Sequence, residues 1–398
     1  MSKPNIRSLN PLDFTKVLPK RNEIIDNAKA EKLPELLSYK ANQIANALHP
    51  SYQVLKVKDI KEENADVKTF TLERDGEAPA YFSAGQYLSI AVEINGKYYS
   101  RPYSISSSPK DALNGFYCLT IKRTGGGLVS NYVLDNVKAG DVIITSAPLG
   151  QFKYEPLRDA KHVIGIAGGS GITPFRSLAK AIADGDEDCS LTLLYGSNTL
   201  DEALFKEEFK ELEEKCSKIK VVHVLSDEKA DGYETGFIGA DLIRKYAPEG
   251  EYSLFMCGPQ AMYSFLEKEI PKLNLRRKFI RREAFGEIHS PEAFPDYVKP
   301  GAEEYNLTVK MGPETFTMKA NTGDTLLVTM EKNGLFPPAD CRSGLCGWCH
   351  AQLVNGEAYT IKQNDGRRAA DKKFGYIHPC IAFPLSDIVL DVPQGKDA

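Results

Sequence analysis

Four cysteines near the C-terminal end constrain this chain more than any other feature. Three lie on one short segment, Cys341-x4-Cys346-x2-Cys349, and Cys380 follows after thirty intervening residues. Four thiolates can hold a [2Fe–2S] cluster, with two on each iron. Gly344 and Gly347 give the segment the backbone freedom that three neighbouring ligands require. Structural zinc is the alternative, but zinc sites favour paired C-x2-C units. The spacing therefore predicts an iron–sulfur cluster.

Length and composition limit the classes of protein to which this chain can belong. A chain of 398 residues is too long for one hydrophobic core, and 42% hydrophobic and 26% charged residues are typical of globular proteins. A net charge of −4 argues against nucleic acid or an anionic membrane as the main partner. We see no run of eighteen apolar residues and no signal segment, and we expect no membrane span. Eight dispersed cysteines then favour thiols or metal ligands in the cytoplasm.

The pattern of residues divides the chain into four parts and a linker. Residues 1–50 predict two short helices, which either pack on the main body or form a flexible arm. Short β-branched and aromatic runs over 51–157 predict an antiparallel β-barrel. Strands alternate with helices over 158–285, which predicts an α/β domain with a parallel sheet. Prolines over 286–304 predict a linker, and 305–398 begins with a predicted hairpin and helix.

Two motifs in the barrel region suit the binding of a phosphate and a ring system. Arg101-Pro102-Tyr103-Ser104 offers a guanidinium, an aromatic face and a hydroxyl donor. The second motif, Arg123 to Ser130, contains three consecutive glycines and leads into a predicted short helix. Backbone amides at such a turn can hold a diphosphate. For the glycines alone, a solvated turn is the alternative.

A third motif lies where the first strand of the α/β region turns into a helix. It reads Gly168-Gly169-Ser170-Gly171-Ile172-Thr173, and glycines at this position let a pyrophosphate approach the backbone and the helix dipole. A later strand of the same predicted sheet ends in Cys257-Gly258-Pro259, at the edge where ligands of open α/β sheets collect. For Cys257, a buried small hydrophobe is the alternative.

In this order the motifs resemble those of the ferredoxin–NADP⁺ reductase superfamily, and the segment from Asp340 to Cys349, here called the cysteine loop, resembles that of plant-type ferredoxins. The resemblance covers 51–398. It implies an FAD-binding β-barrel, an NAD(P)-binding α/β domain and an α+β ferredoxin domain of the β-grasp fold, with all four cysteines as cluster ligands. Trp348 of the cysteine loop is expected to pack over the cluster, with an exposed docking role as the alternative.

The resemblance also implies roles for residues of the barrel region. Arg101 would contact the flavin phosphate, Tyr103 would stack on the flavin, and Ser104 would form a hydrogen bond near N5. Ser130 and the amides around Gly127 would hold the diphosphate of FAD. Some relatives bind FMN instead, but the complete glycine stretch favours FAD.

In the α/β region the resemblance places Thr173 near the nicotinamide and flavin, and Cys257 beside the position of hydride transfer. Ser104 and Cys257 are thus the residues with an implied catalytic role. Phe285 resembles the terminal aromatic residue that covers the flavin in some relatives, and a core phenylalanine is the alternative. The remaining implied nucleotide contacts are Gly168, Gly169, Gly171, Gly258 and Pro259.

Charge indicates which nucleotide the chain uses. Relatives selective for NADP place an arginine after a serine at the end of the third strand of this domain, whereas this chain reads Leu225-Ser226-Asp227. An aspartate repels a 2′-phosphate and suits a ribose diol. Asn198 adds no cation on the neighbouring segment. We therefore expect Asp227 to favour NADH, with NADPH the weaker substrate.

The order of the implied domains is that of the reductase components of several oxygenases. It implies a reductase that moves hydride from NADH to FAD and then single electrons through the [2Fe–2S] cluster to a separate protein acceptor. A terminal oxygenase or another metalloprotein is the expected acceptor. Direct reduction of a soluble carrier or a small molecule is one alternative, and an electron-transfer subunit of a larger redox complex is another.

Overall fold

The computed structural model describes residues 19–27, 38–288 and 290–393. It divides the chain into two compact units, and the boundary lies between Leu48 and His49. The first unit contains helix α1 (19–27) and helix α2 (Lys40–Leu48). Helices were expected in this part of the chain, and α2 leaves every one of its residues at least partly exposed. In the described ranges no helix combines the length and the apolar character that a membrane crossing requires.

The first domain of the second unit is an antiparallel sheet of six strands in the order β4-β3-β6-β1-β2-β5. A bridge between Ile105 and Leu119 brings the two ends of the sheet together, so the sheet curls into a half-barrel. Alternate side chains such as Leu55 and Val57 fill its interior, as a strand period of two requires. Its elements are β1 (Tyr52–Asn64), β2 (Val67–Glu73), β3 (Tyr87–Ile94), β4 (Lys97–Ser104), α3 (Pro109–Leu113), β5 (Phe116–Lys122), α4 (Leu128–Asn136) and β6 (Val142–Ser146).

The second domain is a parallel sheet in the order β10-β9-β8-β7-β11-β12. After β7, the chain adds β8, β9 and β10 in turn on one side of β7. It then returns and adds β11 on the other side of β7. This reversal creates a topological switch point between β7 and β11. The elements are β7 (His162–Gly168), α5 (Thr173–Asp184), β8 (Ser190–Ser197), α6 (Lys206–Lys215), β9 (Ile219–Leu225), β10 (Glu234–Thr235), α7 (Ala240–Tyr246), β11 (Ser253–Cys257), α8 (Gln260–Glu269) and β12 (Ile280–Glu283).

The third domain combines a five-stranded mixed sheet, β14-β13-β19-β15-β17, with a small second sheet of β16 and β18. Helix α9 buries all of its residues from Leu326 to Glu331, because it lies between this domain and strand β4 of the first. The elements are β13 (Glu304–Met311), β14 (Glu314–Asn321), α9 (Leu326–Lys332), β15 (Ala351–Asn355), β16 (Ala358–Thr360), α10 (Ala369–Lys373), β17 (Tyr376–Ile377), β18 (Ala382–Pro384) and β19 (Ile388–Val392).

These three domains confirm the predicted fold class of antiparallel barrel, parallel α/β sheet and α+β ferredoxin domain. The proline-rich segment before β13 differs from a simple linker. Phe294 is buried in it and packs in one cluster with Tyr359, Ile361 and Phe383 of the third domain. Aromatic residues within the segment therefore hold it against the domain that it leads into.

Candidate functional site

The switch point is built from two backbone turns that approach each other closely. β7 and β11 are paired so that Ala167 lies opposite Cys257, and both strands end within a residue of this pair. A Cβ atom on Gly171 would lie 2.5 Å from the carbonyl carbon of Cys257 and 2.8 Å from the Cα of Gly258. Since backbone atoms cannot move aside as a side chain can, position 171 admits only glycine.

The other glycines leave the floor of this crevice as bare backbone. A Cβ on Gly168 would lie 2.8 Å from Cδ of Pro259, and one on Gly258 would lie 2.5 Å from Cε of Met262. Gly169 adopts a φ of 52°, in the left-handed region. The turn then leads directly into α5, whose N-terminus has no side-chain cap. This arrangement suits a nucleotide diphosphate.

Thr173 begins α5 and is buried, and its hydroxyl donates to the carbonyl of Ser170 at 3.0 Å. Its hydroxyl thus braces the glycine turn. Asp227 lies farther along the same edge of the sheet, after β9, and its side chain is exposed. Its amide donates to the carbonyl of Asn198 at 3.0 Å, so the two positions singled out for nucleotide selection lie side by side.

Cys257 ends β11 as a buried thiol, and burial together with the nearby carboxyl of Glu283 raises its pKa. It is therefore neither a thiolate nucleophile nor a general base at neutral pH. Glu283 pairs with Cys257 across β11 and β12. Its Oε2 is buried without a hydrogen-bond partner, and burial raises its pKa well above the ordinary range, with the nearby Cys341 adding to the effect. Sequence analysis missed Glu283, although its place at the end of a strand beside Cys257 was the available signal.

The tetrapeptide that begins at Arg101 ends β4, with Ser104 buried and Tyr103 half-buried. Ser104 lies opposite Tyr87 of β3. The ring of Phe285 from the second domain meets the ring of Tyr87 edge-on, with centroids 5.0 Å apart. The structure therefore brings Ser104 and Phe285 together around Tyr87, a residue that the sequence analysis did not single out.

Tyr87 also lies beside the cysteine loop of the third domain. Burial raises the pKa of Tyr87, and its neighbours Cys346, Cys341 and Glu283 raise it further. A phenol can be influenced by these groups only if they are near, so residues from all three domains converge on Tyr87.

The glycine-rich loop of the first domain ends at the start of α4. Gly126 adopts a φ of 71°, and a Cβ on Gly127 would lie 2.5 Å from Oγ of the buried Ser130. The side chain of Asn131 closes the loop by accepting from the amide of Thr124 at 3.2 Å and donating to its carbonyl at 3.0 Å. The closed loop fixes the first backbone amides of α4 in a position that suits the binding of an anion.

Arg101 makes contacts that its sequence context did not indicate. Its guanidinium donates to the carbonyl of Ser100 at 2.7 Å and forms an ion pair with Glu287. It also lies 3.4 Å from the carboxylate of Glu331 in α9. The expected contact between Arg101 and a flavin phosphate stays a prediction, and the same guanidinium links the first domain to the third.

The four cysteine sulfurs lie as two pairs. The sulfurs of Cys349 and Cys380 are 3.3 Å apart, and the side chains of Cys341 and Cys346 share a hydrogen bond, while the amide of Cys346 also donates to the sulfur of Cys341 at 3.3 Å. In the described part of the chain no three cysteine, histidine or carboxylate side chains converge on a single metal position. Two pairs are the layout that two irons with two thiolates each require, and they suit a [2Fe–2S] cluster better than one zinc ion.

One cysteine of the loop favours the thiolate form. The pKa of Cys341 is lowered to about 5, chiefly by a hydrogen bond from the thiol of Cys346, whereas that shared hydrogen bond and burial raise the pKa of Cys346. Arg342, Gly344 and Gly347 adopt left-handed φ angles of 56°, 82° and 75°. A Cβ on Gly344 would lie 2.6 Å from Cδ1 of Ile381, which neighbours the fourth cysteine. The loop is thus wound tightly against the segment that carries Cys380.

Two residues that flank the cysteines have distinct environments. The Nδ1–H of His378 donates to the carbonyl of Gly344 at 2.8 Å, and the side chain is buried, in keeping with a structural role. Trp348 leaves 56% of its surface exposed, while its amide donates to the sulfur of Cys346 at 3.4 Å. The expectation that Trp348 packs over the cluster stays a prediction, and the exposure of the indole also fits the alternative role in docking.

Comparison with known proteins agrees with this layout. Three protein-family descriptions match the chain: an oxidoreductase FAD-binding domain over 54–154, an oxidoreductase NAD-binding domain over 166–268 and a 2Fe-2S iron-sulfur cluster binding domain over 309–385. The chain is 30% identical over 349 residues to the ferredoxin reductase component of 3-ketosteroid-9-alpha-monooxygenase from Mycolicibacterium smegmatis, covering 84% of this chain and 95% of that protein.

Two further proteins are similar along most of the chain. The glycine betaine monooxygenase reductase subunit of Pseudomonas aeruginosa is 28% identical over 353 residues, which cover 83% of this chain and 92% of the relative. The solved structure of phthalate dioxygenase reductase superposes with a TM-score of 0.62 at 24% identity, covering 85% of this chain and 98% of that structure. The last comparison establishes the shared fold.

The close approach at the switch point predicts that Gly171→Ala disrupts both stability and nucleotide binding. Overpacking against backbone costs about 1–3 kcal/mol of the free energy of unfolding. Gly196→Ala is the matched control, because a Cβ there would make only ordinary contacts at 3.5 Å. Urea unfolding and NADH titration measure both effects. A Gly171→Ala protein as stable as Gly196→Ala, with unchanged NADH affinity, would show that the crevice is not formed as described.

Proposed function

The chain belongs to the family of FAD- and NAD-binding reductases that carry a C-terminal [2Fe–2S] domain, and from this premise we propose that it is the NADH-dependent reductase of a separate terminal oxygenase. The observation that carries the proposal is the convergence at Tyr87. Phe285 of the second domain and the ligand cysteines of the third both lie beside this residue of the first. Groups bound in the three domains would therefore meet at one place.

The residues present fit the cofactors of this family. The amides at Gly127, with Ser130, would hold the diphosphate of FAD, while Tyr103 and Ser104 would face its ring system. When bound, FAD accepts a hydride from NADH, and the cluster takes the two electrons from it one at a time. Cys341, Cys346, Cys349 and Cys380 would hold the cluster.

Within this proposal the protein's own groups orient the bound cofactors and exclude water from them. Ser104 would donate a hydrogen bond to the flavin near N5 from its buried position opposite Tyr87. Cys257 would pack beside the nicotinamide as a neutral thiol, since burial raises its pKa. The backbone at Gly168, Gly169 and Gly171 would receive the diphosphate of the nucleotide, with Thr173 bracing the turn and Gly258 and Pro259 forming the opposite wall.

We place the functional parts at the boundaries expected from the sequence: a helical extension over 1–50, the FAD domain over 51–157, the NAD domain over 158–285, the connecting segment over 286–304 and the cluster domain over 305–398. The names of the similar proteins, which are components of monooxygenase and dioxygenase systems, support an oxygenase as the acceptor. All eight cysteines are free of disulfides, which supports a reducing, cytoplasmic location.

Replacing one cluster ligand distinguishes reduction of the flavin by NADH from electron transfer through the cluster. In Cys346→Ser we expect NADH to bleach the flavin absorbance as in the native protein, because residue 346 lies outside the NAD and FAD domains. Iron and sulfide should be lost, and reduction of a one-electron protein acceptor such as cytochrome c should fall with them. Cys216→Ser, a half-buried cysteine of the second domain, is the control. Full iron content in Cys346→Ser would remove the cluster assignment.

The proposal also includes a preference for NADH over NADPH. Asp227 is exposed beside Asn198, where its carboxylate would accept from ribose hydroxyls and repel a 2′-phosphate. A preference for NADH of at least about 1.4 kcal/mol, tenfold in kcat/KM, is expected. Asp227→Arg should shrink or reverse it.

Steady-state kinetics with both nucleotides measures this preference. Asp231→Arg makes the same change of charge at an exposed neighbour and is the control. A native protein with higher kcat/KM for NADPH would contradict the charge argument, and so would an Asp231→Arg protein that reproduces the effect of Asp227→Arg.

A further inference from the structure

Four charged side chains from three parts of the chain meet where the first and third domains touch. Arg342 of the cysteine loop donates to the two carboxylate oxygens of Glu331 at 2.8 and 2.7 Å, and to Glu287 at 2.6 Å. Arg101 of β4 pairs with the same carboxylate oxygen of Glu287 and lies 3.4 Å from Glu331. These residues, here called the charge array, alternate in sign around a closed set of contacts.

The charge array is almost completely removed from water. The side chains of Arg342 and Glu331 are 0% and 2% exposed, and those of Arg101 and Glu287 are 14% and 13% exposed. Two guanidinium groups and two carboxylates sum to zero charge. Because a buried charge is tolerated only when it is paired, loss of any one member leaves an uncompensated charge at the domain boundary.

The charge array acts directly on the cysteine loop through Arg342. This residue follows the ligand Cys341 and has a left-handed φ of 56°, a conformation that non-glycine residues seldom adopt. Such backbone persists only where the surroundings hold it, and here the surroundings are Glu331 and Glu287. The side-chain contacts of Arg342 therefore set the path of the loop next to the first ligand.

Two other polar or aromatic contacts between the first and third domains lie toward the exterior. Lys97 donates to the carbonyl of Lys332 at 2.5 Å on the surface, and the exposed rings of Tyr98 and Phe336 are 6.1 Å apart. Exposed contacts of these kinds contribute little to the fixing of one domain against another. The charge array is buried, directional and close to Cys341.

We infer that the charge array positions the cysteine loop against the first domain, and that Arg342 and Glu287 are positioning residues for electron transfer into the cluster. This inference rests on the proposed function. Transfer between bound groups depends on their separation, so a displaced loop slows the passage of electrons without altering hydride transfer from NADH. Neither residue lies in the nucleotide crevice or supplies a cluster ligand.

Three variants of the full-length holoprotein test the inference. Arg342→Met leaves the charge array with one excess negative charge, Glu287→Gln leaves one excess positive charge, and the double variant restores neutrality. In each single variant we expect NADH-driven reduction of the cluster to slow on the order of tenfold or more, with flavin bleaching by NADH unchanged. The double variant should recover part of the loss, because its remaining pair is balanced.

Measurements that do not depend on turnover distinguish a displaced cysteine loop from a damaged cluster. The electron paramagnetic resonance spectrum and the midpoint potential of the dithionite-treated cluster should match those of the native protein. Amide hydrogen exchange of α9 and of the cysteine loop should rise in the single variants and fall back in the double variant. Arg367→Met is the control, since Arg367 pairs at 2.8 Å with Asp365 inside the third domain.

Native rates of cluster reduction in Glu287→Gln would overturn the inference, even if Arg342→Met lost its cluster, because Glu287 lies outside the third domain. Equal slowing in Arg367→Met would also overturn it, since any lost ion pair would then suffice. A native protein that fails to oxidise NADH would instead contradict the proposed function, which distinguishes the two failures.

Discussion

The carboxylate of Glu331 accepts hydrogen bonds from Arg342 of the cysteine loop and faces the guanidinium of Arg101 in the first domain. Removing one member of such a buried pair costs about 3–5 kcal/mol, which is comparable to much of the stability of a domain. The interaction requires α9 to lie against β4, and this placement brings the cysteines close to Tyr87. The position of the third domain is therefore set by charge neutralisation as much as by apolar packing.

The second domain reaches the region of Tyr87 because of the geometry of its backbone. Its switch point forms because β11 returns to the open side of β7, and the glycine at 171 lets the two turns touch. β12 ends at Glu283 beside this crevice, and Phe285, two residues later, contacts the ring of Tyr87. Glu283 is buried opposite Cys257 and is near Cys341, so an ionisable group links the nucleotide crevice with the cysteine loop. Burial raises the pKa of Glu283 and so favours its neutral form.

The features that the sequence predicted are those whose chemistry depends on nearby residues in the chain. Cysteine spacing, the glycine turn before α5 and the alternation of strands and helices each reflect local backbone requirements, and the structure has all three. The charge array could not be predicted in this way, because Arg101 and Glu331 are 230 positions apart and become partners only through domain packing. The burial of Phe294 depends likewise on tertiary contacts.

Convergence of the three domains at Tyr87 is the central claim, and an anaerobic titration with NADH tests it most directly. Substoichiometric NADH is added to the purified full-length protein, and the cluster signal is followed by electron paramagnetic resonance beside the visible absorbance of the flavin. The account predicts that electrons from NADH appear at the cluster within the first additions, since both groups lie next to one residue. A flavin that bleaches fully while the cluster stays oxidised, although dithionite reduces it, would contradict the account.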